Sequence, residues 1–155
     1  MRYVAQVLQP GETVVYTTKL HWFIYLTAIL LIIACIFLAI GGLYATDNQN
    51  ISLAFWIAAL IFALLALSSA LRAFIRRATT ELAVTDQRVI YKTGLLARHT
   101  LEMNRARVES VTVDQTFLGR ILGYGTVTVR GVGSAFEPIR SIGDPLTFRT
   151  HITTG

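Results

Sequence analysis

Two apolar runs without a formal charge, six residues apart, leave this chain few ways to fold. Trp22 to Tyr44 reads WFIYLTAILLIIACIFLAIGGLY, and Ile51 to Leu71 reads ISLAFWIAALIFALLALSSAL. At 1.5 Å per residue each makes a helix of roughly 30–35 Å, enough to cross the hydrocarbon core of a bilayer. The link ATDNQN is short, so the second helix must run back along the first, and the pair reads as a tight transmembrane hairpin. The first run is too long for the apolar stretch of a secretory signal peptide, and no small-residue cleavage site follows it. Asp47, in the link, is the one Asp, Glu, Lys, Arg or His between Trp22 and Leu71. Transporters and proton pumps carry such groups at depth, so those classes are set aside. Gly41 and Gly42, with Ser68, Ser69 and Ala70, are the residues small enough to let helices approach closely.

Orientation follows from the flanks. Arg2 and Lys19 precede the hairpin, Arg72, Arg76 and Arg77 follow it, and the link carries no basic residue. Basic residues near a span stay in the cytoplasm, which places both termini inside and Asp47 to Asn50 outside. Arg72, Arg76 and Arg77 read as topological determinants that snorkel to the headgroups, or alternatively as a site for anionic lipid. Trp22 reads as an interfacial anchor, and His21 beside it as a hydrogen-bonding neighbour rather than a reactive group. These five residues form the candidate membrane-interface set, and membrane lipids are the expected contact.

From Thr79 onward the apolar period becomes two: TTELAVT, RVIYKTG, LLARHTLEM, RVESVTVDQ and TVTVRG are expected strands. Asp86-Gln87 connects the first pair, Gly94 ends the second strand, and Asn104 with its neighbours interrupts the run before Val108. Val111 with Val113, and Val127 with Val129, share core faces, so each sheet should have a core side and a wet side. TFLGRILG fits a short helical turn with Phe117, Ile121 and Leu122 folded onto the sheet. Asp144 as N-cap followed by Pro145 predicts a short C-terminal helix from about Asp144 to Ile152. Glu12 to Lys19, introduced by the Pro10-Gly11 turn, is also strand-like and can pair with the later strands. The expected organisation is therefore 1–20 as an N-terminal strand segment of the β domain, 21–72 as the hairpin (spans 22–44 and 51–71), and 73–155 as a cytoplasmic β domain.

PGETVVYTTKLHW ahead of a helical hairpin, TTELAVTDQRVIYKTGLL after it, then VDQTFLGRILGYGTVTV and a closing DPLTF resemble the bacterial membrane-anchored pleckstrin-homology-like (PH) domains, long described as a domain of unknown function. The resemblance covers nearly the whole chain and is most specific from Asp114 to Val129. It implies an α+β membrane protein of the bacterial inner membrane: a two-helix hairpin plus a partly open antiparallel β-barrel, capped at one end by the C-terminal helix. Eukaryotic relatives of the fold often bind phosphoinositides through basic residues clustered between their first strands. Here the hairpin occupies that region and no such cluster appears.

The residues offer little chemistry beyond this. Gly94, Gly119, Gly123 and Gly125 read as structural turns, and Gly131 to Ser134 as a hairpin loop, because neither the strand-Gly-helix order nor the lysine of a phosphate cradle accompanies them. His99 and His151 lack partners at metal spacing, and Ser110, Ser134 and Ser141 lack a nucleophile-elbow context. Glu102, Glu109 and Asp114 fall where solvated surface carboxylates are routine. Cys35 lies within an apolar run, and a single cysteine forms no intrachain disulfide. The chain carries a net charge of +5, but its basic residues are spread singly along the strands, which argues against nucleic acid. No cofactor, metal or catalytic site is expected. What remains is a non-enzymatic, membrane-anchored interaction module or scaffold that binds a protein partner or copies of itself. The alternative is an anionic-lipid recognition or membrane-regulatory protein acting through Arg72, Arg76, Arg77 and Arg88.

Overall fold

A computed structural model describes residues 2–45, 48–95, 99–135 and 138–154. Asp47 of the link and residues 96–98 of an expected strand lie outside the described residues. In chain order the elements are α1 (Arg2–Val7), β1 (Val14–Thr18), α2 (Leu26–Tyr44), α3 (Gln49–Thr79), β2 (Glu81–Thr85), β3 (Arg88–Thr93), β4 (His99–Asn104), β5 (Val108–Asp114), α4 (Phe117–Leu122), β6 (Tyr124–Gly131), β7 (Ser134–Ala135), β8 (Ile139–Gly143) and α5 (Pro145–Thr153). Single 3₁₀ turns occupy Trp22–Tyr25 and Arg105–Arg107. The chain divides into two compact units, Met1–Phe23 with Arg76–Gly155, and Ile24–Ile75.

The first unit is built from two antiparallel sheets. One has the order β1-β2-β3-β4, and in the other β6 pairs with β5, β7 and β8. Asp86-Gln87 is the two-residue connection between β2 and β3, and Val132-Gly133 turns β6 into β7. The Asn104 side chain caps the 3₁₀ turn at Ala106 N, separating β4 from β5. The sheets meet where the chain leaves β1: Leu20 bridges to Ile142, His21 N donates to Ser141 O at 2.7 Å, and the Thr18 hydroxyl donates to Gly143 O at 2.8 Å. The barrel is not closed, since β4 and β5 are the terminal strands of their sheets.

Period-two alternation fills the space between the sheets. Leu82, Val84, Val89 and Met103 from one sheet meet Val127, Val129, Ile139 and Ile142 from the other, with Val111 and Val113 half-buried alongside. α5 contributes Phe148 and Ile152, and Phe148 is the largest fully buried side chain. This helix is short, yet it delivers the ring that plugs the core. Asp144 is not its side-chain cap: the residue sits at φ +54 with no cap bond, and its N–H donates instead to Gly123 O at 3.0 Å. Pro145, at the start of the helix, supplies the preset φ.

The structure departs from expectation at two places. The segment ahead of β1 carries a helix, α1, and its Val4 covers Ala83 and Ile90 on the outer face of the first sheet, so that face is not simply wet. α4 is present, but Phe117 and Ile121, 78% and 66% exposed, do not fold onto the sheet, whereas Leu122 is 38% exposed. Gly119 is the residue of α4 that packs inward.

The second unit is the helical pair. Gly41 and Gly42 of α2 lie against Phe55 and Trp56 of α3, and a Cβ on Gly41 would sit 2.8 Å from the Phe55 ring. On α3 the buried residues are Ala59, Ala66 and Ala73, one every seven, the repeat of a left-handed seam. The Cys35 thiol donates to Ala59 O at 3.3 Å, and the Ser52 hydroxyl to Gly42 O at 3.0 Å. Ser68 is not in this seam: it is exposed, and its hydroxyl bonds back to Leu65 O in its own helix. Both helices are long and apolar enough to cross a membrane, with mean hydropathies of 3.0 and 2.5.

Phe148→Ala empties the centre of the β unit and should destabilise it by about 3–5 kcal/mol. Denaturant unfolding of the full chain in detergent, followed by β-sheet circular dichroism, measures this. A loss below about 1 kcal/mol would show that the core is not organised around α5.

Candidate membrane-interface site

The residues that lead into the apolar helix form a chain of rings. His21 is fixed through its backbone N–H to Ser141 O, and its Nδ1 accepts the N–H of Phe23 at 3.3 Å. An accepting Nδ1 places the proton of the neutral ring on Nε2. The His21 ring lies 5.5 Å from Trp22 and stacks at 5.5 Å on Tyr124, while Phe23 stacks on Tyr124 at 4.1 Å and 19°. Trp22 is itself half-exposed. Desolvation, and then the positive charge of Arg77, hold the His21 pKa below its ordinary value, which keeps the ring neutral. Sequence reasoning singled out His21 and Trp22 but not Phe23 or Tyr124. Tyr124 reaches them only through the pairing of β6 with β8 and the bridge beyond it, which no local pattern announces.

Arg72, Arg76 and Arg77 all lie on α3, which runs unbroken to Thr79. Arg72 Nη2 is 3.4 Å from Ser68 Oγ, one turn back, and belongs to the helical unit. Arg76 and Arg77 stand in the last turn, where cations complement the helix dipole, and belong to the β unit with His21 and Trp22.

Of the expected turn glycines, Gly94 and Gly123 adopt positive φ, +97 and +74, and Gly123 caps α4. Gly119 and Gly125 are not turns. Gly119 lies inside α4, where a Cβ would meet Tyr124 O at 2.7 Å. Gly125 lies inside β6, where a Cβ would meet Gln115 Cγ at 2.8 Å. Both are required by close approach rather than by backbone conformation.

Arg88, proposed from sequence as a headgroup contact, is committed inside the fold. Its Nε and Nη2 donate to the two oxygens of Glu12 at 2.9 and 2.7 Å, its Nη1 to Glu102 at 2.7 Å, and its Nη2 also to Val7 O at 2.7 Å. The Glu12 side chain has no solvent exposure and also accepts from the Thr85 hydroxyl and from Gln9 N. Glu102 is exposed, as expected of a carboxylate on a strand, and is in addition an ion-pair partner of Arg88. The bidentate bond from Arg88, against the opposing penalty of burial, brings the Glu12 pKa down to about 2. Arg105 does comparable work at α5: Nη2 donates to His151 O at 2.7 Å, satisfying the end of the helix. The His151 ring stacks on Tyr16 at 4.5 Å, and its Nδ1 lies 2.9 Å from Thr147 O.

The arrangement is thus a two-sheet core closed by a C-terminal helix, interrupted after its first strand by an apolar helical pair and edged by aromatic residues where the pair begins. A family model described as bacterial PH domain matches residues 12–154, and the chain belongs to that family. Among curated proteins none matches it. Membership suggests a non-enzymatic interaction module.

The Glu12 carboxylate titrates at about 2 in the fold against 4.5 when unfolded, so its contribution to stability is complete above about pH 4.5 and disappears as the pH falls towards about 2. The midpoint of thermal unfolding in detergent should drop through that window, and less steeply in Glu12→Gln. Arg88→Ala, which strands a buried carboxylate, should remove about 3–5 kcal/mol at neutral pH. Equal acid sensitivity in wild type and Glu12→Gln would rule out this pair as the source.

Proposed function

We propose that the chain is a bacterial inner-membrane protein whose PH-like unit is held at the cytoplasmic face by the α2–α3 hairpin and binds a protein partner or further copies of itself. The observation that carries this reading is the pair of terminal strands, β4 and β5, each paired on one side only among the described residues. Their outer backbone groups are a template for strand addition, the mode by which sheet edges capture extended segments or each other. Concentration in two dimensions strengthens such weak contacts. Spanning is supported by the two long apolar helices, which bury little of their own surface. The basic residues on the flanks support an orientation with both termini in the cytoplasm. Anionic-lipid recognition is the second reading, favoured by the exposure of Arg72, Arg76 and Arg77 together at the end of α3.

Single cysteines at Asn48 and Thr154, in a Cys35→Ser background, test the topology. An impermeant thiol reagent added to intact cells should label Asn48 and spare Thr154, and the reverse pattern would invert the orientation.

Mass measurement in native nanodiscs, with identification of co-purified lipid, separates the two functional readings. Oligomers or a bound protein are expected, and a shared Pro substitution at Thr100 and Thr112, on the two terminal strands, should reduce them. A strict monomer that retains one acidic lipid, lost on Arg72→Ala with Arg76→Ala and Arg77→Ala, would favour lipid recognition instead.

A further inference from the structure

α4 reverses the usual amphipathic arrangement. Its side chains Phe117, Leu118, Ile121 and Leu122 are 78, 55, 66 and 38% exposed, and it meets the sheet through Gly119, the one position without a side chain. A surface helix ordinarily turns its apolar stripe to the core. Nor is α4 a loose turn. The Thr116 hydroxyl accepts from Gly119 N at 3.1 Å, Gly123 closes the other end at φ +74, and Gln115 Nε2 donates to Tyr124 O at 3.1 Å. The backbone is clamped, so the apolar side chains are held outward by design of the turn.

What covers them is indicated by the next residue. The Tyr124 ring stacks on Phe23, within the same compact unit, and Phe23 is the residue at which that unit passes into the apolar span Trp22–Tyr44. α4 therefore emerges beside the point where the chain reaches the membrane. Its composition suits an interfacial helix, with apolar residues for the acyl boundary and one exposed cation, Arg120, able to extend to the headgroups. A second copy is a poorer occupant, because a two-fold contact through α4 would bring Arg120 towards its own image.

We propose that α4 dips into the headgroup–acyl boundary of the membrane, giving the β unit a second point of attachment besides the hairpin. This rests on the membrane-anchored reading above. Two attachments fix the orientation of the unit to the bilayer, whereas a single tether leaves it free to swivel.

The test uses the full chain in liposomes of mixed zwitterionic and anionic lipid, in a Cys35→Ser background, with a nitroxide at Leu118→Cys, at Phe37→Cys on α2, or at Val132→Cys. Val132 is equally apolar and exposed but lies at the opposite end of β6. Collision with oxygen and with a water-soluble nickel chelate reports depth. The Leu118 label should lose most of its nickel collisions relative to Val132 and sit about 5–10 Å below the phosphates. Nickel collision equal to that at Val132, with Phe37 in lipid, overturns the proposal and leaves the anchor intact. Protection from both reagents, with spin–spin broadening that disappears on dilution with unlabelled protein, identifies a second copy and also overturns it. A Phe37 label in water overturns the anchor and the proposal together.

Discussion

The antiparallel pairing of β1 with β2 is the constraint on which everything else rests. Thr18, the last residue of β1, pairs with Leu82, near the start of β2, so the two strands that flank the inserted helical pair in sequence lie one strand spacing apart, about 4.8 Å. Few insertions meet that condition. An antiparallel pair of helices does, because it begins and ends on the same side. A preformed hairpin also shortens the effective loop that β1 must close, so the pairing loses less chain entropy than its separation in sequence suggests.

β1 still needs holding, because it is a terminal strand and it bridges two sheets. Glu12, immediately ahead of it, is tied to Arg88 at a separation of 76 residues. The same guanidinium reaches Val7 O, so α1, the turn and β1 are gathered onto the β2–β3 hairpin by one side chain. At the far end of β1, Thr18, Lys19, Leu20 and His21 hand the chain to β8. The barrel seam is therefore closed at β1 and β8 by backbone bonds, while β4 and β5 remain the open side.

Much of this was legible because it was local. Alternation located β1 to β6 but not the short β7 or β8, Asp86-Gln87 and Gly94 placed strand ends, Pro145 placed α5, and unbroken hydropathy marked α2 and α3. What escaped was either non-local or contrary to pattern. The Glu12–Arg88 pair joins distant segments, and carboxylates and arginines on strands look alike whether solvated or buried. α1 is six residues long, too short for a periodic signal, and Val4 is its buried anchor among the described side chains. The orientation of α4 was misread because apolar residues beside a sheet are expected to face it. Gly119 was the available clue: a glycine inside a helical turn is costly unless something approaches closely, and that approach turns the remaining side chains outward.

The polar inventory narrows what an encounter surface of this protein can be. Arg88 and Arg105 are both engaged within the β unit, Arg88 by carboxylates and a helix carbonyl and Arg105 by carbonyls of the chain itself. A basic isoelectric point therefore overstates the positive charge free for an anionic ligand. The surfaces left with unmet requirements are of a different kind: backbone groups along β4 and β5, and apolar side chains on α4. Strand addition across six or seven residues makes a handful of hydrogen bonds, each contributing only about 1 kcal/mol net, which is weak between freely diffusing molecules. Under the proposed anchoring the same contact would become effective, because confinement to a plane raises the effective concentration without adding a bond. A short open edge is then sufficient, and a long one would invite the uncontrolled pairing that sheet proteins otherwise avoid.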